Sequence, residues 1–481
     1  MRNVLLVEPD YRSKFPPLGL LRIATMHRGK GDAVTFARGM DPLLRASHWH
    51  RVYISSLYTW ELPRTAKTIQ YYSNSVERPH DIIVGGIGAT LAGDYLAERV
   101  NCRIVKGPLD KRGMLGRGTP AVDRLVPDYS LIDGPNHGYL PADSYFCRVS
   151  KGCVRKCAFC AVPTLEPEFG VCSTLTRQVR RINQRFGEKQ HLVILDNNIL
   201  ALPHFEGVIA ELRDLGFVSG AKRLRRQRTI DFNQGLDARL ITRETARLLA
   251  TVCLHPVRLA FDFDAMEQPY RRAVAHLSRA GFVEFTNYLM FNYRDTPASL
   301  YGRLRVNAEL SAALGIRVTG FPMRYVPVED VSRRHVSSGW HWRYLRGLQC
   351  ILHATHGLVS PNPDFFAAAF GETAEEFVEL VAMPDRYIVY RRQFKHHEAH
   401  AWRRLYRKLS EADRGEFLDV LAMLNGSRQK AADGAVYPKY AALLEHYYPD
   451  GQVPHGNTAR SSPRADAPHS ARGSSGAVSK P

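Results

Sequence analysis

No stretch of this 481-residue chain is apolar over the length of a membrane span, and its opening Met1-Arg-Asn-Val-Leu-Leu-Val-Glu-Pro-Asp10 holds too short an apolar run for a signal peptide. The sequence therefore predicts no membrane segment and a buried first strand. The eight cysteines lack any regular framework spacing, which argues against a secreted disulfide scaffold and for a reducing, cytoplasmic setting. Gly-x-Gly-x-x-Gly does not follow the first strand, so a nicotinamide site of that kind is excluded, and Gly85-Gly86-Ile87-Gly88 reads as a turn required by loop geometry. Acidic residues are also scarce. There are 47 Asp+Glu against 66 Lys+Arg, a formal net charge of +19, which favours polyanions by counterion release and leaves nucleic acid open as a partner. The sharpest basic run is Lys222-Arg-Leu-Arg-Arg-Gln-Arg228, and aromatics interleave with basic groups between Phe394 and Lys408. The plainer reading of both is a solvated face.

What the chain does have is Val149-Ser-Lys-Gly-Cys153-Val-Arg-Lys-Cys157-Ala-Phe-Cys160, a Cys-x3-Cys-x2-Cys cluster. Three thiolates on one short loop can hold a soft metal centre, and the odd count leaves one coordination position for something else. Structural zinc wants four closed ligands, usually in two separated pairs. The available fourth ligands, Cys147 and Cys172, make no second pair, and the ferredoxin run ending in Cys-Pro is missing. Spacing thus favours iron–sulfur and leaves zinc open.

Apolar strands alternating with helical patterns predict an α/β protein. A small Rossmann-like parallel domain occupies residues 1–110, with strands at Val4–Val7, Arg51–Leu57 and Asp81–Ile87 and a first helix after Pro16-Pro17. Residues 111–143, within a stretch rich in Gly, Pro and Asp, read as a linker and covering loop. Over 144–330 the expected strands are Tyr145–Ser150, His191–Asp196, Arg228–Asn233, Val257–Asp262, Phe285–Asn292 and Val318–Tyr325, separated by helices. Six β/α units fit an incomplete (β/α)6 barrel, since a complete one needs eight. A helical domain is expected over 331–450, and a disordered Ser/Pro/Arg/Ala-rich tail over 451–481. Several strands end in polar groups, among them Asp196, Asn197, Asn233, Gln234 and Asp262, which together predict a polar pocket at the carboxyl ends.

On these residues the chain resembles the radical S-adenosylmethionine (SAM) superfamily, whose Cys-x3-Cys-x-aromatic-Cys motif is matched by Cys153, Cys157, Phe159 and Cys160. The resemblance implies a [4Fe–4S] cluster held by the three cysteines, with SAM chelating the fourth iron and an external electron donor such as a flavodoxin or ferredoxin. It implies reductive cleavage of SAM to a 5′-deoxyadenosyl radical acting on an unidentified substrate. Asp196 and Asn197 take the position that meets the methionine amino end, while Asn233, Gln234 and Asp262 are the choices for the carboxylate and ribose region. Pro16-Pro-Leu-Gly19 after the first strand and the Gly-Gly turn also resemble the subgroup with an amino-terminal cobalamin-binding-like domain. Radical methyl transfer would follow if cobalamin binds. The cobalt-ligating Asp-x-His-x-x-Gly is absent from residues 1–140, however, and its nearest approach is Thr25-Met-His27-Arg-Gly-Lys30. Such a domain either binds cobalamin without a histidine ligand or only covers the active site. Two other readings remain. One is an RNA-modifying radical SAM enzyme, against which stands the presence of only Cys102 and Cys147 ahead of the motif. The other is a zinc-stabilised nucleic-acid-binding protein.

Overall fold

The computed structural model describes residues 1–132, 138–139, 142–357, 359, 361–424 and 437–448. The expected tail, 451–481, lies outside the described residues. The chain divides into two compact units: Met1–Ala260 with Met266–Thr286 and Tyr325–His335, and Phe261–Ala265 with Asn287–Arg324 and the residues from Val336.

The first unit opens with five strands, β1 (Asn3–Glu8), β2 (Ala33–Arg38), β3 (Arg51–Ser55), β4 (Ile82–Gly85) and β5 (Arg103–Val105), in the order β2-β1-β3-β4-β5. All neighbours pair in parallel. Val4 and Leu6 pack with Leu20, Ile23 and Ala24 of the helix Leu18–Arg28, while Leu5 and Val7 pack with Leu62, Ala66 and Ile69 of the helix Leu62–Tyr72. Covering on both faces explains why Val4–Val7 is an unbroken apolar run instead of an alternating one. From β1 the chain moves outward to β2 and returns past it to β3, so the order reverses between β1 and β3. In open parallel sheets that reversal leaves a crevice at the carboxyl ends.

The same unit continues with β6 (Ser144–Cys147), β7 (Ser150–Lys151), β8 (Gly170–Val171), β9 (His191–Ile194), β10 (Lys222–Arg223), β11 (Arg226–Gln227), β12 (Ile230–Phe232) and β13 (Val257–Ala260). Strands β6, β9 and β12 are parallel neighbours in that order. Parallel bridges Ile230↔Leu254 and Leu236↔Leu259 carry the pattern on to β13. The helix Leu175–Phe186 buries Leu175, Val179 and Ile182, one apolar stripe at helical spacing. The expected strand Tyr145–Ser150 is broken after Cys147, because the N–H groups of Val149 and Ser150 turn to the Asp196 carboxylate instead of a strand partner. The basic run Lys222–Arg228 contains the β10–β11 hairpin, with Leu224 and Arg225 at its tip in the left-handed region (φ 49° and 63°). Part of its charge is used internally: Arg223 and Arg228 pair with Glu188, and the Arg228 guanidinium lies 3.8 Å from the Phe217 ring centroid.

In the second unit, β14 (Glu284–Phe291, from Asn287 onward) and β15 (Arg317–Arg324) flank the helix Pro297–Leu314, and the rest is helical. Leu289, Leu300, Leu304, Leu348, Phe377 and Trp402 belong to one core. Trp402 and Tyr406 stack there with centroids 4.6 Å apart, so these aromatics of the Phe394–Lys408 stretch are core residues. Among the described residues no helix is long and apolar enough to cross a membrane.

Candidate functional site

Strands β6, β9 and β12 end side by side at Cys147, Ile194 and Phe232, so the segments that follow them emerge at the same edge. After β6 comes the cysteine loop, closed at its base by the antiparallel pairing of β7 with β8. Three carboxylates tie this loop down. Asp196, just past β9 and 3 % exposed, accepts from the Val149 N–H (2.9 Å), the Ser150 N–H (2.6 Å) and the Ser150 hydroxyl (2.6 Å). Burial pushes its carboxyl above the ordinary value, and those hydrogen bonds pull the other way. Glu166, on the far side of the loop, accepts from Arg148 Nη1 (2.7 Å), the Gly152 N–H (2.7 Å) and Asn197 Nδ2 (3.0 Å). Gly152 has φ +71°, and a Cβ there would lie 2.2 Å from the Glu168 carbonyl oxygen, so the turn into Cys153 admits only glycine.

The third carboxylate is Asp237, beyond β12. It accepts from Arg155 Nε (3.1 Å), Asn198 Nδ2 (3.2 Å) and Arg239 Nε (2.7 Å). Burial would raise its pKa, but the hydrogen bonds and charge of Arg239, joined by Arg155, outweigh it and hold the carboxyl below its ordinary range. The same network reaches sulfur. Cys153 Sγ accepts from the Arg155 N–H at 3.3 Å and Asn198 Nδ2 at 3.7 Å, and Cys160 Sγ accepts from the Val162 N–H at 3.5 Å. Cys153, Cys157, Phe159 and Cys160 are all partly exposed, and the Cys160 N–H donates to the Cys157 carbonyl at 3.0 Å. Among the described residues no group of three or more His, Cys, Asp or Glu side chains is arranged to hold a metal ion. What fits a soft metal centre is the donor set itself: three thiols on a glycine-started loop, with N–H donors to two of the sulfurs.

The other polar strand-end residues fall as follows. Asn197 is bound to Glu166, and Asn233 and Gln234 follow β12, with Gln234 Nε2 donating to Asn233 Oδ1 at 3.2 Å. Asp262 belongs to the second unit, where its carbonyl accepts from the buried Arg303 at 2.9 Å. Of the alternative ligands, Cys147 is buried in β6 with its thiol pushed up to about 12, chiefly by burial, and Cys172 is exposed beyond β8. Glu166, Asp237 and Arg155 were not singled out by the sequence. The one signal available was the spacing of Arg155 between two cysteines.

The crevice between β1 and β3 is built differently. Glu8 ends β1 buried, with Arg38 Nε 3.3 Å away and the Tyr139 hydroxyl donating to it, and the Arg38 guanidinium lies 5.2 Å from the Tyr139 ring centroid. Burial outweighs the Tyr139 hydrogen bond and the Arg38 charge, and pushes the Glu8 carboxyl up to about 7. The Tyr11 hydroxyl and Ser55 Oγ, 3.0 Å apart, span the two strand ends. Gly86 (φ +109°) packs on Ser56, whose carbonyl oxygen a Cβ would approach to 2.5 Å, in keeping with the loop-geometry reading of that turn. His27 lies elsewhere. Its ring nitrogens meet Asp32 (2.8 Å) and the Tyr53 hydroxyl (3.0 Å) just ahead of β2, at the amino ends of the strands. His27 is therefore no ligand for a cobalamin in the crevice.

No family model and no curated protein matches the sequence. Among solved structures, the chain is similar to TsrM from Kitasatospora setae, a radical SAM methyltransferase determined with cobalamin and a [4Fe–4S] cluster bound. That match has 15% identity and a TM-score of 0.49, over 68% of this chain and 77% of the other. OxsB, a cobalamin-dependent SAM radical enzyme, matches at 13% identity and a TM-score of 0.42, over 64% of this chain and 51% of its own. SuiB from Streptococcus suis, bound to SAM, matches at 14% identity and a TM-score of 0.30, over 44% of this chain and 47% of its own.

Proposed function

We propose that the protein is a radical SAM enzyme in which Cys153, Cys157 and Cys160 hold a [4Fe–4S] cluster. The observation that carries this reading is the Cys-x3-Cys-x2-Cys loop anchored at the carboxyl ends of parallel strands by Asp196, Glu166 and Asp237. When bound, such a cluster supplies the single electron for reductive cleavage of SAM, chemistry that no side chain can perform. The residues around it have separate tasks. Asp196 fixes the approach to the loop through Val149 and Ser150, and Glu166 fixes its first turn through Gly152. Asp237 holds the Arg155 and Asn198 side chains beside Cys153, whose sulfur accepts from the Arg155 backbone N–H and from Asn198 Nδ2. The amides of Asn197, Asn233 and Gln234, at the same strand ends, offer both acceptors and donors for the ammonium, carboxylate and ribose of SAM. Asp196 is a positioning residue here, because three donors already occupy its carboxylate.

Anaerobic reconstitution with iron and sulfide followed by incubation with SAM and a chemical reductant tests the reading. About four irons per chain and formation of 5′-deoxyadenosine are expected, and Cys157→Ala should abolish the 5′-deoxyadenosine. One tightly held zinc with no iron, or 5′-deoxyadenosine formation that survives Cys157→Ala, overturns it.

A further inference from the structure

Beside the base of the cysteine loop the first unit contains a cleft of about 350 Å³ between the segment 123–127, the end of β6, the paired strands β7 and β8 and the helix Leu175–Phe186. Six cations line it: Arg22, Arg124, Arg148, Lys151, Arg177 and Arg181. Three of them are neutralised in place. Arg22 and Arg148 share the two oxygens of Asp123 at 3.1 and 2.7 Å, Arg148 also holds Glu166, and Lys151 pairs with Asp110 at 3.0 Å. Arg124, Arg177 and Arg181 have no carboxylate partner among the described residues; the contact of the Arg181 guanidinium is the Arg124 carbonyl at 3.4 Å.

On a solvated helix an acid three or four residues from an arginine is stabilising, and a like charge at that spacing is destabilising. The helix Leu175–Phe186 has Arg177, Arg180, Arg181 and Arg185 and no Asp or Glu at all. Its Gln178 does not compensate, since Nε2 is spent on the Arg148 carbonyl at 2.8 Å. Three uncompensated guanidiniums around one concavity repel each other and focus positive potential within it, a cost that a bound anion reverses. The cleft also has an apolar wall, formed by Leu125, Val126, Pro127, Phe146 and Ile182. Its volume is at the lower end of the range for small-molecule sites. A polynucleotide track would need a longer, open basic groove and exposed rings for stacking.

We propose that this cleft binds a small phosphomonoester, its phosphoryl group held by the forks of Arg177 and Arg181 with Arg124 at the rim, and its organic body against the wall at Val126 and Phe146. Guanidinium pairs suit phosphoryl oxygens because each fork can donate two parallel hydrogen bonds. The proposal does not depend on what the cysteine loop holds.

Titration calorimetry of the full chain with inorganic phosphate, phenyl phosphate and benzyl alcohol, at about 150 mM salt, provides the test. Phenyl phosphate should bind saturably at one site and at least ~10-fold more tightly than inorganic phosphate, with no binding of benzyl alcohol. The Arg177→Gln/Arg181→Gln double variant should weaken phenyl phosphate at least ~10-fold, while Arg180→Gln, on the same helix but not lining the cleft, should leave it unchanged. Arg177 and Arg180 are exposed and Arg181 is half-buried, and an unchanged far-ultraviolet circular dichroism spectrum shows that the variants fold. Equal weakening by Arg180→Gln means diffuse charge attraction and overturns the proposal. So does the absence of saturable binding, and so does binding of inorganic phosphate as tight as that of phenyl phosphate.

Discussion

Two strand-end edges of the first unit use parallel sheets in opposite ways. At β1 and β3 the polar groups answer one another: Glu8 is held by Arg38 and Tyr139, and Tyr11 meets Ser55. At β6, β9 and β12 the carboxylates are also engaged, but what they hold is a loop whose three thiols remain partly exposed. The difference is one of direction. In the crevice the hydrogen bonds satisfy residues that line it, whereas at the cysteine edge they fix a backbone path that carries three partly exposed thiols. Rigid support behind partly exposed soft donors is the arrangement a binding site needs.

The largest effect on this contrast should come from Asp196→Ala. The substitution strips two backbone N–H groups and one hydroxyl of their acceptor in a buried setting. Each buried donor left unsatisfied costs about 1–3 kcal/mol, so a loss on the order of 3 kcal/mol is expected even after partial rearrangement. Hydrogen exchange should speed at Val149 and Ser150 while β1 and β3 stay protected, and iron uptake should fall in parallel. Unchanged exchange at Val149 and Ser150 would remove the anchoring role from Asp196. The contrast between the two edges would go with it.

Much of this was legible in the sequence, and the gaps have physical causes. The six strands expected over 144–330 all occur, since their apolar runs are buried and bounded by polar or glycine residues. Strands β2 and β5 went unpredicted: β2 is a half-exposed edge strand with little alternation, and β5 is three residues long. The cysteine loop was readable because ligand spacing is local. Glu166 was not, because its role is to meet Gly152 and Asn197 across a loop closed by strand pairing, and nothing in Leu165-Glu-Pro-Glu168 indicates that closure. Asp196 was readable as a polar strand end, but sequence could not say whether its carboxylate faces a ligand or its own chain.

An effect of similar size is expected in the crevice, and it depends on pH. Glu8 has its pKa raised from 4.5 to about 7, so between those values the folded protein keeps a proton that the unfolded chain releases. The stability this group contributes is therefore greatest at low pH and is lost as pH rises through the interval. The full change is about 3 kcal/mol, from 1.36 kcal/mol per unit. Exchange protection of β1 and β3 should fall accordingly between pH 4.5 and 8, after correction for the intrinsic exchange rate. Glu8→Gln, which is uncharged throughout, should flatten the profile and be the more protected protein at pH 8. A wild-type profile as flat as that of the variant would mean that Glu8 is not the group that titrates.

Tyr11→Phe should have the smallest effect and discriminates most finely between the two edges. It removes one hydroxyl, the partner of Ser55 Oγ, and leaves the ring in its edge-on contact with Tyr58 at 5.9 Å. A single neutral hydrogen bond contributes about 1 kcal/mol net, so protection at the ends of β1 and β3 should drop by roughly fivefold, with no change at Val149 or Ser150. If the crevice is instead held chiefly by the Glu8–Arg38–Tyr139 group, protection at Ser55 will be unaltered. In that case the closed state of this edge rests on one titrating carboxylate, and Tyr11→Phe combined with Glu8→Gln will behave as Glu8→Gln alone.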